Sequence, residues 1–205
     1  CTIVFYVDDN KISHKDPQVV TDVINLISQH FGDLTVTRGK KHDFLGMNLE
    51  IKERRVHINM KEQVQEAIDW GNKQGGCKPR NPAAHDLFSQ DETSDQLSLD
   101  EADLFHSVVQ KLLYICKRAR PDVEPAISYL CTRVSSPTKE DDNKLTRVLG
   151  FLEKTIDDER VLGAVDLDTL CTWVDASYGV HLDMKSHTGG TMSFGYGTLH
   201  TKSSK

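Results

Sequence analysis

The sequence predicts an α+β protein of 205 residues whose three successive parts are strand-rich, helical and strand-rich again. The apolar, β-branched opening CTIVFYV is typical of a strand. Three segments between residues 98 and 155 then repeat apolar residues at helical spacing. After residue 160 the chain changes to short β-branched stretches separated by Gly-rich turns. This order indicates the end of one α+β domain, a helical middle and the start of another domain.

The first part is predicted to contain two hairpins and one helix. Residues 1–14 give a strand, a turn and a second strand. Asp16-Pro17 then supplies a helix N-cap and a first helical Pro, and Gly32 is predicted to end this helix. LTVT, FLGMNLEIK and RVHINM predict strands, the last two joined as a hairpin across residues 53–55.

The middle part is predicted to be helical apart from one linker. KEQVQEAIDW predicts a short helix, and the Gly-, Pro- and polar-rich stretch 72–100 predicts a linker. The next helix begins at a Ser98 cap, with Glu101 completing a capping box. Two further helices are predicted to begin at Pro121 and at Ser136-Pro137.

The last part is predicted to contain three short strands, LCTWVDASYGV, GGTMSFG and TLHTKSS. Asp175 ends the apolar stretch of the first strand, and Asp183 and His187 follow where a solvated loop is predicted. The histidines show no metal-binding spacing and are predicted to be structural or exposed. The predicted boundaries of the three parts are 1–60, 61–160 and 161–205.

The formal net charge of −6 is unevenly distributed along the chain. Seven acidic residues and no Lys or Arg lie between Arg80 and Lys111, and without these acids the formal charge is +1. Between Arg38 and Lys61, inclusive, seven basic residues accompany only three acidic ones. The acidic total therefore does not exclude a nucleic-acid partner, because basic patches remain on either side of one acidic loop.

The cysteine pattern and the hydropathy indicate an intracellular protein. Five scattered cysteines without a CxxC motif favour reduced thiols over a disulfide framework or a zinc site. The sequence has no signal peptide, and no apolar run is long enough to span a bilayer. Because the first residue is Cys and the last residues, HTKSSK, show no terminating pattern, we expect a fragment of a longer open reading frame.

Asp8 and Asp9 are candidate metal ligands, because they are adjacent and directly follow an apolar predicted strand. Adjacent carboxylates repel each other and are costly to hold together without a cation. Mg²⁺ binds carboxylate oxygens and keeps positions open for phosphate and water, and two such ions can clamp a phosphoryl transfer. The alternative is a polar hairpin turn, in which Asp-Asp pairs are common. The spacing alone leaves both interpretations open.

Several motifs resemble reverse transcriptases of copia-type retrotransposons. FYVDDNKISH resembles their YxDD hairpin, and HDFLGMNLEI resembles the FLG-containing strand of their primer grip. The family's LLY and RPD segment is matched by LLYICKRARPD. The start of its ribonuclease H is similar to WVDASYGVHLDMKSHTGG and, further along, HTKSSK. The matches follow the family's order over nearly the whole chain. The sequence departs from the family at Phe105-His106, where Tyr-Arg is usual, and at Ser177 and His181, where acids are usual.

The resemblance implies a fold for each of the three parts. Residues 1–60 would be the C-terminal part of a polymerase palm, with a β-hairpin, a helix and the primer-grip strands. Residues 61–160 would be a helical thumb or connection with the acidic linker at about 72–100. Residues 161–205 would be the first strands of a truncated ribonuclease H-like fold.

The implied function is RNA-directed DNA polymerisation by two-metal nucleotidyl transfer at the YVDD hairpin. Asp8 and Asp9 would hold Mg²⁺ or Mn²⁺, with Asp8 favoured as the direct ligand, and Tyr6 and Val7 would lie under the primer terminus. Asp175 would be the first metal ligand of ribonuclease H, or otherwise a strand-terminal Asp. The third polymerase carboxylate lies upstream in this family, so we expect the isolated chain not to extend a primer.

Two further sets of residues would contact the primer–template. Leu45, Gly46 and Met47 would form the primer grip, the alternative being a buried strand with one bulge. Four basic residues near the end of a helix would contact phosphates, or would otherwise form a solvated face that favours the helix C-terminus. These basic residues are Lys111, Lys117, Arg118 and Arg120.

The resemblance also implies partners and a location. The partners would be an RNA or DNA primer–template, dNTPs and the remainder of the Pol polyprotein, without a membrane. The location would be a cytoplasmic virus-like particle or the nucleus. One alternative is a degenerate or domesticated element remnant that binds nucleic acid without catalysis, and another is an unrelated metal-binding α+β domain.

Overall fold

The computed structural model describes residues 1–71 and 78–205 and has a mixed α and β structure. Its first two strands form an antiparallel hairpin that a helix follows, as predicted. Asp16 caps this helix by accepting a hydrogen bond from Gln18 N at 2.9 Å, and Gly32, at φ +85°, ends it. These elements are β1 (Thr2–Tyr6), β2 (Asp9–Ser13) and α1 (Pro17–Phe31).

A five-stranded antiparallel sheet follows, with the strand order β3-β4-β5-β6-β9. The strands are β3 (Lys41–Phe44), β4 (Met47–Lys52), β5 (Arg55–Asn59), β6 (Arg160–Ala164) and β9 (Gly195–Tyr196). The hairpin across residues 53–55 was predicted, whereas β6 and β9 were not. The prediction of a strand at LTVT was wrong, because residues 34–37 pair with no strand in the described part of the chain.

Four helices pack against one another and share one hydrophobic core with Phe44, Leu49 and Ile58 of this sheet. Each of the two longest of these helices begins at a capping box. Ser98 pairs with Glu101 in the first, and Thr138 pairs with Asp141 in the second. The last helix therefore begins after Thr138, two residues later than predicted, and a 3₁₀ turn at Pro121–Val123 precedes the third helix. The helices are α2 (Lys61–Gly71), α3 (Leu99–Arg118), α4 (Glu124–Cys131) and α5 (Lys139–Lys154).

The predicted linker is packed on the helices in its described portion, residues 78–98. Leu87 is buried in the core, and Asn81 O accepts a hydrogen bond from Arg147 Nε at 3.2 Å. Asp95 forms an ion pair with Lys139 at 3.0 Å. This segment was predicted as a linker because its composition is polar, and its few apolar side chains nevertheless hold it against α4 and α5. Residues 72–77 of the predicted linker lie outside the described residues.

The C-terminal residues form a second antiparallel sheet with the strand order β10-β8-β7. Its strands are β7 (Cys171–Ser177), β8 (His187–Ser193) and β10 (His200–Ser204). β10 packs on α4, so this sheet is attached to the helices rather than separate from them. β9, between β8 and β10 in sequence, pairs instead with β6 of the five-stranded sheet. Strands from the first and last predicted parts thus share a sheet. No helix in the described residues is long and apolar enough to cross a membrane.

Candidate active site

The Asp8–Asp9 pair lies at the tip of the first hairpin, where a two-residue turn of Val7 and Asp8 joins the paired residues Tyr6 and Asp9. Val7 has φ +52°, a conformation that is a genuine outlier for a β-branched residue. Such strained residues cluster at functional sites. Both carboxylates are exposed, and no ion pair engages either of them within the described residues. The turn therefore projects two free acidic side chains into solvent.

Tyr6 and Val7, predicted to lie under a primer terminus, are exposed beside these acids. Tyr6 is 57% exposed and Val7 is 86% exposed, so neither side chain is part of the hydrophobic core. Open space adjoins the hairpin, in the form of a groove of about 880 Å³ between β2, α1 and residues 33–38. Its lining includes Asp8, Asp9, Ile12, Val20, Ile24 and Ile27. The acids thus stand at the edge of a groove with an apolar wall.

The two aspartates suit a hard divalent cation in chemistry but do not complete a site alone. Carboxylate oxygens are the ligands that Mg²⁺ prefers, and Asp8 and Asp9 offer them without a competing cationic partner in the described residues. Across residues 1–71 and 78–205, however, no group of three or more His, Cys, Asp or Glu side chains could hold a metal ion. The described residues fit the acidic half of a Mg²⁺ site, and further ligands would have to come from elsewhere.

Two of the predicted primer-grip residues, Leu45 and Gly46, form a tight turn, and the third, Met47, begins β4. Leu45 and Gly46 have φ +54° and +69° and connect Phe44 of β3 to Met47 of β4, so the prediction of one continuous strand with a bulge was wrong. Two consecutive positive φ values are typical of a hairpin turn that matches strand twist. A Cβ on Gly46 would lie 3.2 Å from Gln63 Nε2, which makes the position doubly unfavourable for other residues.

Tyr114 of α3 holds this turn in place. Its hydroxyl donates a hydrogen bond of 2.8 Å to Leu45 O, and the Arg118 guanidinium lies over its ring, 3.5 Å from the centroid. The structure therefore brings a predicted primer-grip residue and a predicted phosphate-binding residue together through Tyr114. Sequence reasoning missed Tyr114, although its position four residues before Arg118 on a helix was a usable signal.

The other three predicted phosphate-binding residues form ion pairs with acidic side chains of the protein. Lys111 forms an ion pair with Glu66 and lies over the Trp70 ring, with 4.1 Å from Nζ to the centroid. Lys117 forms an ion pair with the buried Glu124. These contacts withdraw both ammonium groups from the role of free phosphate ligands.

Arg120 is 3% exposed, and all three nitrogen atoms of its guanidinium donate hydrogen bonds within the protein. Its Nε and Nη2 donate to the Asp122 carboxylate at 3.0 and 2.7 Å, and its Nη1 donates to Thr155 O at 3.0 Å. A buried bidentate pair of this kind is structural, since burial of an unpaired guanidinium would be expensive. Arg118 is therefore the best placed of the four predicted basic residues to meet a phosphate.

Asp175 lies on β7 of the C-terminal sheet, apart from the Asp8–Asp9 hairpin. It is exposed and pairs in register with Gly189 of β8, and its Oδ1 accepts a hydrogen bond from Ala176 N at 2.9 Å. Within the described residues it belongs to no group of three or more His, Cys, Asp or Glu side chains that could hold a metal ion. Its predicted metal role stays a prediction.

Comparison with known proteins links the whole chain to transposons. The retrovirus-related Pol polyprotein from transposon TNT 1-94 of Nicotiana tabacum is 23% identical over 208 residues, which cover 98% of this chain and 15% of that protein. A transposon Ty5-1 protein of Saccharomyces cerevisiae is 23% identical over 204 residues, 99% of this chain and 65% of that protein. The chain is related to retrotransposon Pol polyproteins.

A third relative of this Pol-related chain is an uncharacterized mitochondrial protein of Arabidopsis thaliana, 27% identical over 157 residues. That alignment covers 75% of the Pol-related chain and 62% of the relative. The chain spans less than two thirds of the length of each of these three relatives. No family model matches the chain, and no solved structure matches it.

The relationship runs through both candidate sites. The alignments to the two transposon proteins extend over nearly all of the Pol-related chain, from the Asp8–Asp9 hairpin region to the strands after residue 160. The copia-type resemblance of the YVDD and WVDAS motifs is consistent with this relationship.

Proposed function

We propose that this Pol-related chain supplies the catalytic hairpin and the primer grip of a copia-type RNA-directed DNA polymerase. The observation that carries the proposal is the pair of exposed carboxylates, Asp8 and Asp9, on a hairpin turn with Val7 at φ +52°. The relationship to transposon Pol polyproteins over nearly the whole chain supports it. In this proposal the palm, the helical thumb or connection and the opening strands of ribonuclease H follow one another along the chain.

Each part of the site has a proposed task. Asp8 and Asp9 hold Mg²⁺ or Mn²⁺, which when bound stabilises the charge that develops on the transferred phosphate. Tyr6 and Val7 shape the floor under the primer terminus. The Leu45–Gly46 turn presents its backbone to the primer, because the exposed Gly46 has no side chain to prevent a close approach.

The remaining site residues bind the primer–template or contribute to the ribonuclease H site. Arg118, supported by Tyr114, contacts a phosphate of the primer–template. Asp175 provides the first metal-binding carboxylate of ribonuclease H, and its partners come from other parts of the Pol polyprotein. The proposed substrates are dNTPs and an RNA or DNA primer–template, and the proposed location is a virus-like particle or the nucleus.

The decisive experiment uses the Pol polyprotein that contains this chain, an RNA template, a DNA primer, dNTPs and Mg²⁺. We expect Asp8→Asn and Asp9→Asn each to lower primer extension by at least about 100-fold, because each substitution removes a carboxylate that would hold the charge-stabilising metal ion. Asp168→Asn, in an exposed loop after β6, is the matched control and should leave extension unchanged.

The outcomes separate the proposal from its alternative. Extension that survives both hairpin substitutions would contradict the assignment of the metal ligands. Absence of extension in the parent polyprotein, with retained binding of primer–template, would favour the degenerate or domesticated element that binds nucleic acid without catalysis.

A further inference from the structure

The C-terminal sheet is attached to the helices through a buried polar interface. Glu124 at the start of α4 is 1% exposed, and its carboxylate accepts hydrogen bonds from Ser203 N at 3.1 Å and from the Thr201 hydroxyl. Lys117 of α3 forms an ion pair with the same carboxylate. The docking of β10 on α4 therefore depends on electrostatics and hydrogen bonds as well as on apolar contact.

Two buried histidines continue this polar network into β8. His181 is 2% exposed and His187 is 7% exposed, so the prediction that His187 is a solvated loop residue was wrong. His181 Nε2 lies 3.1 Å from His187 Nδ1, and His187 Nε2 lies 2.6 Å from Ser203 Oγ. We call these three hydrogen-bonded side chains, His181, His187 and Ser203, the histidine latch. It joins the loop before β8 to β10, beside Glu124.

Aromatic rings enclose the histidine latch. The Phe88 ring centroid lies 4.7 Å from that of His187 and 5.1 Å from that of His181. The Tyr129 ring of α4 stacks on His181 with centroids 6.3 Å apart. These rings exclude water from one side of the imidazoles, and a charge placed there would be poorly solvated.

The hydrogen bond between the two imidazoles requires at least one of them to be neutral. The bond between the two rings needs one nitrogen with a proton and one without, so protonation of both facing nitrogens would break it. His181 Nδ1 is buried and has no hydrogen-bond partner among the described residues. A proton added there would become a buried donor without an acceptor, which is costly.

The charged groups around the latch act mainly against protonation. Burial lowers the pKa of both imidazoles, and the Lys205 ammonium next to β10 lowers the pKa of His181 further. Asp183, which lies in the loop and pairs with Lys205 at 2.9 Å, opposes this effect. On the helix side the neighbours are the Glu124–Lys117 pair and the Tyr129 hydroxyl, which lies 3.4 Å from Lys144 Nζ.

We propose that the histidine latch makes the docking of the C-terminal sheet on α4 sensitive to pH. The latch is closed while His181 and His187 are neutral and opens when they are protonated, because charge and lost hydrogen bonds both act against the docked state. Asp175 lies on β7 of this C-terminal sheet. Undocking of the sheet would therefore change the position of Asp175 relative to the helices. The inference does not depend on the polymerase proposal.

The sign of the pH dependence follows from the direction of the pKa shifts. Both imidazoles have a lower pKa in the docked state than the usual value of 6.5, so the undocked state binds more protons. The stability that docking provides is fully present above this usual value, and it is lost as the pH falls below it through the lowered values. The loss is at most about tenfold in the docking equilibrium per pH unit for each proton taken up.

Hydrogen exchange of the whole chain at pH 7.5 and at pH 5.0, corrected for the intrinsic rate, tests the latch. We expect the protection of backbone amides in β8 and β10 to fall by about tenfold or more at the lower pH, while α3 and α5 keep theirs. His181→Gln/His187→Gln should remove this pH dependence. His200→Gln is the matched control, since His200 is an exposed histidine of the same sheet and should leave the dependence unchanged.

A second measurement keeps the test valid if the double variant does not fold. In the unsubstituted chain, the ring signals of His181 and His187 in a magnetic-resonance titration should change at a pH below 6.5, the usual pKa of a histidine, and together with the loss of protection in β10. Equal protection at both pH values, loss of protection in all elements at once, or a pH dependence that persists in the double variant would each overturn the proposal.

Discussion

At the scale of single residues, Tyr114 shows how a helix can position a distant turn. Its phenol bridges α3 and the Leu45–Gly46 turn with one hydrogen bond, and its ring carries the Arg118 guanidinium. The contact with Leu45 is not visible in local sequence patterns, because residues 45 and 114 are far apart in the chain, whereas the contact with Arg118 follows from helical spacing. One side chain thereby fixes the geometry of the candidate primer grip relative to a candidate phosphate contact.

Tyr114→Phe removes the hydroxyl and retains the ring. We expect the free energy of unfolding to fall by about 0.5 to 1 kcal/mol, the lower part of the usual range for one hydrogen bond, because the side chain is 39% exposed and water can solvate the freed Leu45 carbonyl. Denaturant titration monitored by circular dichroism measures the change. Tyr178→Phe, at a side chain that is 92% exposed, should change nothing measurable, and an equal loss in both variants would contradict a specific role for Tyr114.

At the scale of elements, the helix starts are specified by short side-chain motifs. The Ser98 capping box was predicted from the sequence and is present. The Thr138 box was missed, because Ser136-Pro137 offered a competing start two residues earlier. Arg133 also donates to Asp141 at 3.1 Å, so the second box includes a contact from the segment that follows α4. A tertiary contact therefore decided between two locally acceptable starts.

Thr138→Ala tests the second capping box. The substitution removes the side-chain acceptor for Asp141 N, and we expect the free energy of unfolding to fall by about 1 kcal/mol, up to about 2 kcal/mol. Thermal and urea unfolding of the whole chain measure the loss. Thr146→Ala, in the interior of the same helix, should be neutral or slightly stabilising, since Thr146 only returns a hydrogen bond to Asp142 O. A neutral Thr138→Ala would show that Asp141 and Arg133 fix the helix start without the Thr138 side chain.

At the scale of the whole molecule, burial is concentrated in the helices and one sheet. The core unites α2 to α5 with β3, β4 and β5, whereas α1 has no buried residue and β1 is exposed throughout. A two-stranded hairpin is only marginally stable by itself. The elements that carry Asp8 and Asp9 therefore open more easily than the core that carries the Leu45–Gly46 turn.

A pair of leucine substitutions measures this difference. Leu112→Ala, at a fully buried residue of α3, should lower the free energy of unfolding by about 2–5 kcal/mol, because it leaves a cavity in the core. Leu26→Ala, at a side chain of α1 that is 55% exposed, should lower it by less than about 1 kcal/mol. Urea unfolding of both variants provides the comparison. Equal losses would show that α1 belongs to the same cooperative unit as the core.

The sequence predicted features that depend on residues close together in the chain. The first hairpin, the Asp16 and Ser98 caps and the hairpin across residues 53–55 follow from local turn and capping chemistry. The same is true of the exposed Asp8–Asp9 pair, since a turn between two strands projects its residues outward. The prediction failed at LTVT, because alternating apolar residues form a strand only where another strand offers hydrogen bonds.

By itself, the sequence determined the order of the strand-rich, helical and strand-rich parts, the acidic pair at a hairpin turn and the transposon motifs, because each depends on residues close together in the chain. Only the tertiary structure decided that β6 and β9 extend the first sheet and that Arg120 is buried against Asp122. It also decided that His187 lies against His181 beneath Phe88. These features depend on contacts between residues distant in sequence, where burial and hydrogen-bond geometry, rather than local propensity, select the partner.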